Sequence, residues 1–205
     1  MNRTWFAIAI CALPVQATSA SSVLIDFETF PNGTPVACGT EITNQYASLG
    51  VLFSSTNTSA GAAMITNILD FVATPSPTTL LAPGGPAPNN GGTLVLEFPG
   101  LVSEAGSFFI DDQIPVQVTA FDQTNTVVGM TASDGSNQGF DAWMLAHPPG
   151  IARVELAGGF FGANTPDGWG IDDLQFVRIP EPGAILLALL SVGLLLAKVR
   201  APRGN

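Results

Sequence analysis

Short runs of alternating apolar and polar residues, separated by turn-forming residues, fill the middle of this chain. In the first run Ile25 and Phe27 fall on one side, and Asp26 and Glu28 fall on the other, which is the period of a half-buried strand. About ten such runs follow one another, and this spacing predicts one all-β domain, a sandwich or a barrel. The predicted strands are 23–30, 50–54, 63–69, 93–98, 106–110, 116–121, 125–131, 140–145, 151–156 and 171–177.

Two stretches depart from this pattern. Residues 41–49 form the one plausible short helix, with Thr40 as its N-cap. Residues 74–92 hold five prolines and four glycines. Because proline cannot donate to a strand ladder and glycine weakens it, this second stretch is predicted to be a loop.

The first twenty residues have the three-part layout of a secretory signal peptide. Arg3 supplies a basic start, Trp5 to Val15 is an apolar run, and small residues follow. Cleavage is possible after Ala17 or Ala20, and we favour Ala20. Residues 1–20 are therefore predicted to be a signal peptide; the alternative is a buried N-terminal helix.

A second apolar segment lies near the other end of the chain. Residues 183–197 carry no charge, and as a helix they would span about 22 Å against a hydrocarbon core of about 30 Å. Lys198 can bury its stem and lift its ammonium to the interface, so we predict a transmembrane helix over 183–199. Lys198, Arg200 and Arg203 match the positive-inside rule, which leaves the preceding domain outside the cytoplasm.

Pro180, Glu181 and Pro182 directly precede this helix. Together with the helix and the basic tail they resemble the PEP-CTERM sorting domain, and the resemblance covers residues 179–205. It implies processing by an exosortase, a membrane cysteine protease of bacteria that make exopolysaccharide, and a final place at the cell surface or in the extracellular matrix. The alternative is a plain C-terminal anchor with an accidental Pro-Glu-Pro.

The intervening domain, residues 21–178, is strongly acidic. Up to Ile179 it holds fifteen carboxylates against Arg153 and Arg178, a net charge of −13. Such a surface repels phosphate backbones, so nucleic-acid binding is not expected. It suits divalent cations and an aqueous extracellular setting, or serves solubility alone.

The two ends of this domain carry a weaker resemblance. Residues 25–28 and 170–176 are similar to the opening and closing strands of jelly-roll modules such as MAM and several carbohydrate-binding families. The resemblance implies a single jelly-roll-type β-sandwich in which these two strands are neighbours, often with a structural calcium beside them. Calcium takes hard oxygen ligands, and our hypothesis is a Ca²⁺ held by Glu28, Asp172 and Asp173. The alternative is an acid-rich strand end that faces water.

Few residues point to other chemistry. Trp169, between two glycines, is the better exposed candidate for stacking on a sugar, although aromatic residues in β-sandwiches more often belong to the core. Cys38 and His147 could pair as nucleophile and base, but nothing in the sequence orients them.

The sequence therefore favours a non-enzymatic, exported surface or matrix protein that binds polysaccharide. One alternative is an extracellular glycan-active enzyme that uses carboxylates. The other is a purely structural adhesin.

Overall fold

A computed structural model describes residues 20–56, 63–66, 79–83, 92–110, 114–135, 140–158, 160–161, 165–166 and 169–180. No helix within these ranges is long and apolar enough to cross a membrane. The predicted signal peptide, apart from Ala20, lies outside the described residues. So do Glu181, Pro182, the predicted helix over 183–199 and the basic residues Lys198, Arg200 and Arg203.

The described residues are almost entirely β-structure, and the all-β prediction is confirmed. Twelve strands follow one another, with one 3-10 turn at Ala47–Leu49. The strands are β1 (Ser21–Ile25), β2 (Glu41–Ile42), β3 (Leu52–Ser55), β4 (Ala63–Thr66), β5 (Leu80–Ala82), β6 (Gly92–Ile110), β7 (Gln117–Phe121), β8 (Val127–Ala132), β9 (Phe140–Gly158), β10 (Phe160–Phe161), β11 (Thr165–Pro166) and β12 (Gly170–Arg178).

Two strands of 19 residues each, β6 and β9, pair antiparallel along almost their whole length and organise the sheet. Four short predicted strands therefore merge into two long ones. The beginning of β6 and the end of β9 join β3, β7 and β8, which we call the front half. The end of β6 joins β12, which in turn pairs with β1 and β5, and β4 and β2 follow; these strands and the beginning of β9 form the back half.

The long strands bend where they pass from one half to the other. The β6–β9 register shifts between Glu97 and Val102, where Pro99 and Gly100 interrupt the ladder. On the partner strand Gly150 has φ 123, and a side chain there would collide with Leu101. Bulges and glycines of this kind bend strands, so the sheet can close over its own inner face.

The inner faces of both halves share one hydrophobic core. Phe98 and Phe176 bring the halves together, with ring centroids 5.2 Å apart. Phe53 of β3 meets Phe27, which follows β1, at 5.9 Å. Such tilted and edge-on ring pairs add to the free energy gained from burial, and the arrangement is that of a β-sandwich.

Two local predictions were wrong. Glu41 and Ile42 are not helical but form β2, because the buried Ile42 is paired with Ala63 of β4. The proline-rich stretch 74–92 is not entirely loop, since β5 lies within it. β5 pairs with β12 through Leu81, which is fully buried, so burial outweighs the flanking prolines.

We predict that Phe109→Ala will lower the free energy of unfolding by about 3–5 kcal/mol. Phe109 is fully buried and packs against Trp143 and Trp169. Phe108→Ala is the matched control, because Phe108 is the next residue of the same strand and only half-buried. Urea denaturation measures both. Equal losses would contradict the difference in burial between the two rings, and a larger loss for Phe108→Ala would indicate a register shifted by one residue.

Candidate functional site

The outer edge of β12 changes partner partway along the strand. β1 pairs with residues 174–178, and β5 pairs with Ile171. Asp172 and Asp173 lie at this change, where the register of β12 against β6 also shifts. We call this place, where β1 ends, β5 begins and β12 bulges, the acidic junction. The resemblance to jelly-roll modules implied that the first and last strands are neighbours, and the pairing of β1 with β12 confirms this.

The bulge determines where the two aspartates lie. Ile171 and Leu174 are both fully buried in the core although three positions separate them, so one extra residue is inserted between them. Asp173, at this insertion, has φ 49, which is a left-handed conformation.

Asp172 is fully buried. Its Oδ1 accepts a hydrogen bond from the backbone N–H of Asp173 at 2.8 Å. Its carbonyl oxygen accepts one from the hydroxyl of Ser107 at 2.6 Å. The bond from Asp173 offsets part of the cost of burying the carboxylate, because transfer of an uncompensated charge into the interior is very costly, and the bond from Ser107 satisfies the main chain.

Residues that follow β1 form the second side of the junction. Phe27 is fully buried and has φ 57, so the chain turns sharply where β1 ends. The residue just before β5, Thr79, fastens this turn: its hydroxyl donates to the carbonyl of Phe27 at 2.9 Å, and its N–H donates to Glu28 Oε1 at 2.8 Å. Glu28 is thereby fixed at the edge of β5.

The pKa of Tyr46 reflects the negative charge of this region. Its hydroxyl donates to the carbonyl of Thr29 at 3.2 Å, and its ring packs on Phe27. Burial raises the pKa of Tyr46, and the carboxylates of Asp26 and Glu28 raise it further because they oppose a second negative charge. The phenol is therefore neutral at physiological pH.

Metal binding at the junction stays a prediction. Glu28, Asp172 and Asp173 all belong to it, and their oxygens are of the kind that calcium prefers. Within the described ranges, however, no group of three or more His, Cys, Asp or Glu side chains is arranged to hold a metal ion. Calcium also accepts backbone carbonyls and water, so these carboxylates would supply only part of a coordination shell.

The expectation that Trp169 is well exposed was wrong. Its relative exposure is 1%, its ring packs edge-on against Phe109, and its Nε1 donates to the carbonyl of Gly158 at 3.3 Å. Trp143, at 4%, is buried as well. Neither ring offers a face to a sugar from solution, and both serve the core.

A polar cluster that the sequence did not single out lies on the outer face of the front half. The guanidinium of Arg153 sits 4.3 Å from the ring centroid of Phe121, and its Nε lies 3.0 Å from Glu155 Oε1. Its Nη1 donates to Asn125 Oδ1 at 3.1 Å. Ring, carboxylate and amide thus hold one planar cation flat on the sheet. The sequence signal that could have found this cluster is a single cation, Arg153, at an outward-facing position of a predicted strand.

The turn from β7 to β8 presents Asn125 to this cluster. Asn125 has φ 61, and Asp122 holds the turn through its carboxylate, which accepts bonds from the hydroxyl and N–H of Thr124 and the N–H of Thr126. Those bonds, the Thr124 hydroxyl first, lower the pKa of Asp122. The turn is therefore charged and locked at neutral pH.

Strand register extends the cluster into an outward-facing surface of polar and apolar side chains. Two rows of side chains cross the strands on this face. The row of residues that lies between them along the strands is buried, so the two rows themselves face outward. We call this surface the front face. Its rows are Leu52, Glu97, Arg153 and Phe121, and then Ser54, Val95, Glu155, Thr119 and Met130. Five strands at about 4.8 Å spacing make it about 19 Å wide.

The structure does not bring Cys38 and His147 together as a nucleophile and a base. Cys38 is exposed in the loop before β2, and Gly39 beside it donates to the carbonyl of Ile65. His147 lies in β9 at the bend between the two halves and is half-buried. We assign neither a role.

Comparisons with known proteins leave the family open. No protein-family model matches the chain, and no curated protein matches it. Solved structures share its general architecture at low similarity. The K2 cleaved adhesin domain of Lys-gingipain is 14% identical over 76% of this chain and 99% of its own, with a TM-score of 0.47.

Two carbohydrate-binding modules are also similar. A mutant of CBM29-2, of family 29, is 9% identical over 77% of this chain and 91% of its own, with a TM-score of 0.42. TmCBM61, in complex with β-1,4-galactotriose, is 10% identical over 63% of this chain and 88% of its own, with a TM-score of 0.38. With TM-scores below 0.5, these similarities concern the general architecture alone.

If the acidic junction holds calcium, titration of chelator-treated protein will release or absorb heat and raise the melting temperature. A ligand at 100 times its Kd stabilises the folded state by about 2.7 kcal/mol. Glu28→Gln and Asp172→Asn should abolish both signals, whereas Glu104→Gln, which changes an exposed carboxylate elsewhere in the back half, should not. Wild-type protein that gives neither heat nor a shift contradicts the prediction.

Proposed function

We propose that this protein is a non-enzymatic surface protein, exported by residues 1–20 and anchored through the sorting segment 179–205, whose β-sandwich binds extracellular polysaccharide. The sandwich is of the jelly-roll type in this proposal. An exosortase recognises Pro180, Glu181 and Pro182, and the mature protein is delivered to the cell surface or matrix.

The front face is the observation that carries the binding part of this proposal. A sheet surface with a guanidinium held in place, two carboxylates and two hydroxyl-bearing side chains, Ser54 and Thr119, offers both donors and acceptors to sugar hydroxyls. The Arg153–Glu155 pair is held before any ligand arrives, so little side-chain entropy is lost on binding. Such a preformed surface suits a weak, repeated contact with a polymer.

Charge supports a polysaccharide rather than a nucleic acid as the ligand. The domain carries a net charge of −13, and Arg153 on the front face is already neutralised by Glu155 at 3.0 Å. A polyphosphate would meet repulsion without a free cation to offset it. A neutral glycan meets no such penalty.

We predict that Glu155→Ala will weaken glycan binding at least tenfold, which corresponds to about 1.4 kcal/mol. The substitution removes both an acceptor and the partner that orients Arg153. The ligand is first chosen on a glycan array, and its affinity is then measured by calorimetry. Gln175→Ala, an exposed and outward-facing change in the back half, is the control.

Other outcomes of the glycan experiment point elsewhere. Sugar release that disappears on substitution of one Asp or Glu would replace the proposal with a glycan-active enzyme. Self-association of the protein without affinity for any glycan would favour a structural adhesin. Equal binding by Glu155→Ala and wild type, with unchanged melting, would remove the front face as the site.

The proposed location of the protein is tested separately. We predict that a chain ending at Arg178 will be released from cells that hold the full chain in the membrane fraction, because it lacks the apolar segment and the Pro-Glu-Pro motif. Fractionation followed by mass determination measures both place and processing. Identical location of the two chains, with residues 179–205 still present in the full chain, would reject a sorting role for residues 179–205.

A further inference from the structure

The two exits of the described domain lie at the same end of the same sheet. Ser21 of β1 is paired with Arg178 of β12, so the chain enters and leaves the sandwich side by side. The bends of β6 and β9 lie at this end too, because the N–H of Ile179 donates to the carbonyl of Leu101 at 2.9 Å. We call it the anchor end.

The chain is fixed to the sandwich up to this exit. Besides the bond made by Ile179, Arg178 Nη2 donates to the carbonyl of Ser48 at 3.3 Å. Its guanidinium lies against Gly50, which has φ 91 and where a side chain would come within 2.9 Å of Arg178. The last residue before the Pro-Glu-Pro motif therefore has little freedom relative to the domain.

The link from this point to the predicted membrane helix is short. Only residues 180–182 separate Ile179 from Gly183, and three extended residues reach about 10 Å. β12 has nine residues and is about 30 Å long, so the link cannot bring its opposite end to the lipid. The two prolines stiffen the link further.

Charge is distributed unequally along the same axis. The opposite end, which we call the far end, contains the acidic junction and the turn near Asp134. Among the described residues it holds seven carboxylates and no lysine or arginine. They are Asp26, Glu28, Glu41, Asp134, Asp141, Asp172 and Asp173.

The anchor end holds both arginines of the described ranges. Arg178 lies where the chain leaves the sandwich. Arg153 lies just beyond the bend, opposite Glu97 of β6 in the strand ladder. The anchor end also holds the other four carboxylates of the described ranges, Glu97, Glu104, Asp122 and Glu155. An anionic lipid surface therefore repels the far end more strongly than the anchor end, within a Debye length of about 10 Å.

We propose that the sandwich stands end-on at the outer surface of the membrane, with its anchor end against the lipid headgroups and its far end directed away. The inference rests on the proposed anchor at 183–199. The short link holds the anchor end down, and the charge asymmetry opposes tilting of the acidic far end toward the lipid. The acidic junction and the exposed loop with Cys38 then face the surroundings of the cell.

Fluorescence transfer to labelled lipid tests this orientation. Cys38 is an exposed thiol beside Gly39, whose N–H bonds the carbonyl of Ile65 at the level of Leu81 and Ile171, and so it marks the far end. Ser48→Cys in a Cys38→Ser background marks the anchor end, because Ser48 is exposed and its carbonyl binds Arg178. Cys11→Ser in both chains removes the other thiol. Along β12 the two levels differ by about 23 Å.

The full chain is purified from membranes and reconstituted into phosphatidylcholine–phosphatidylglycerol vesicles that carry a lipid-attached acceptor. We expect protein to float with the vesicles and the label at residue 48 to transfer several-fold more efficiently than the label at Cys38. Flotation with equal or reversed transfer overturns the orientation and leaves the anchor intact. Failure to float overturns both. Unchanged melting of the labelled chains confirms that each variant is folded.

Discussion

The antiparallel pairing of β6 with β9 is the interaction on which the rest of the structure depends. Each strand has 19 residues, and each contributes to both halves of the sheet. Because the same ladder continues around the bend, the two halves cannot separate without breaking main-chain bonds, and their inner faces must share one core. β12 and β7 then add to the two halves of this ladder from opposite sides.

The ends of this sandwich differ in chemistry because the strands have a direction. Seven of the eleven carboxylates of the described residues lie at the far end, whereas both arginines of these residues lie near the bends. The acidic junction results from two strand termini, the end of β1 and the beginning of β5, that meet at the bulge of β12, and two of its residues, Phe27 and Asp173, have positive φ. Such conformations cost of order 1–3 kcal/mol each, and the surrounding ladder and core hold them in place.

Much of the fold could be read from local patterns. Alternation identified eight of the twelve strands of the described residues, since a period of two directly reflects one buried and one exposed face. It failed where burial came from distant partners. Ile42 and Leu81 lie in strands of two and three residues, too short to show any period, and they are strands only because β4 and β12 pair with them. The bulge at Asp173 was equally invisible, since one inserted residue leaves composition unchanged.

For the candidate sites, the sequence by itself determined the net charge, the acidic ends of the first and last strands and the order of an apolar start, a β-rich domain and an apolar tail, because these are properties of composition and position along the chain. Only the tertiary structure decided which side chains are exposed and which residues they contact. It buried Trp169 in the core and Asp172 at the junction, and it placed Arg153 against Phe121, Glu155 and Asn125. Residues far apart in the chain meet through strand register, and register is set by the whole ladder rather than by any one segment.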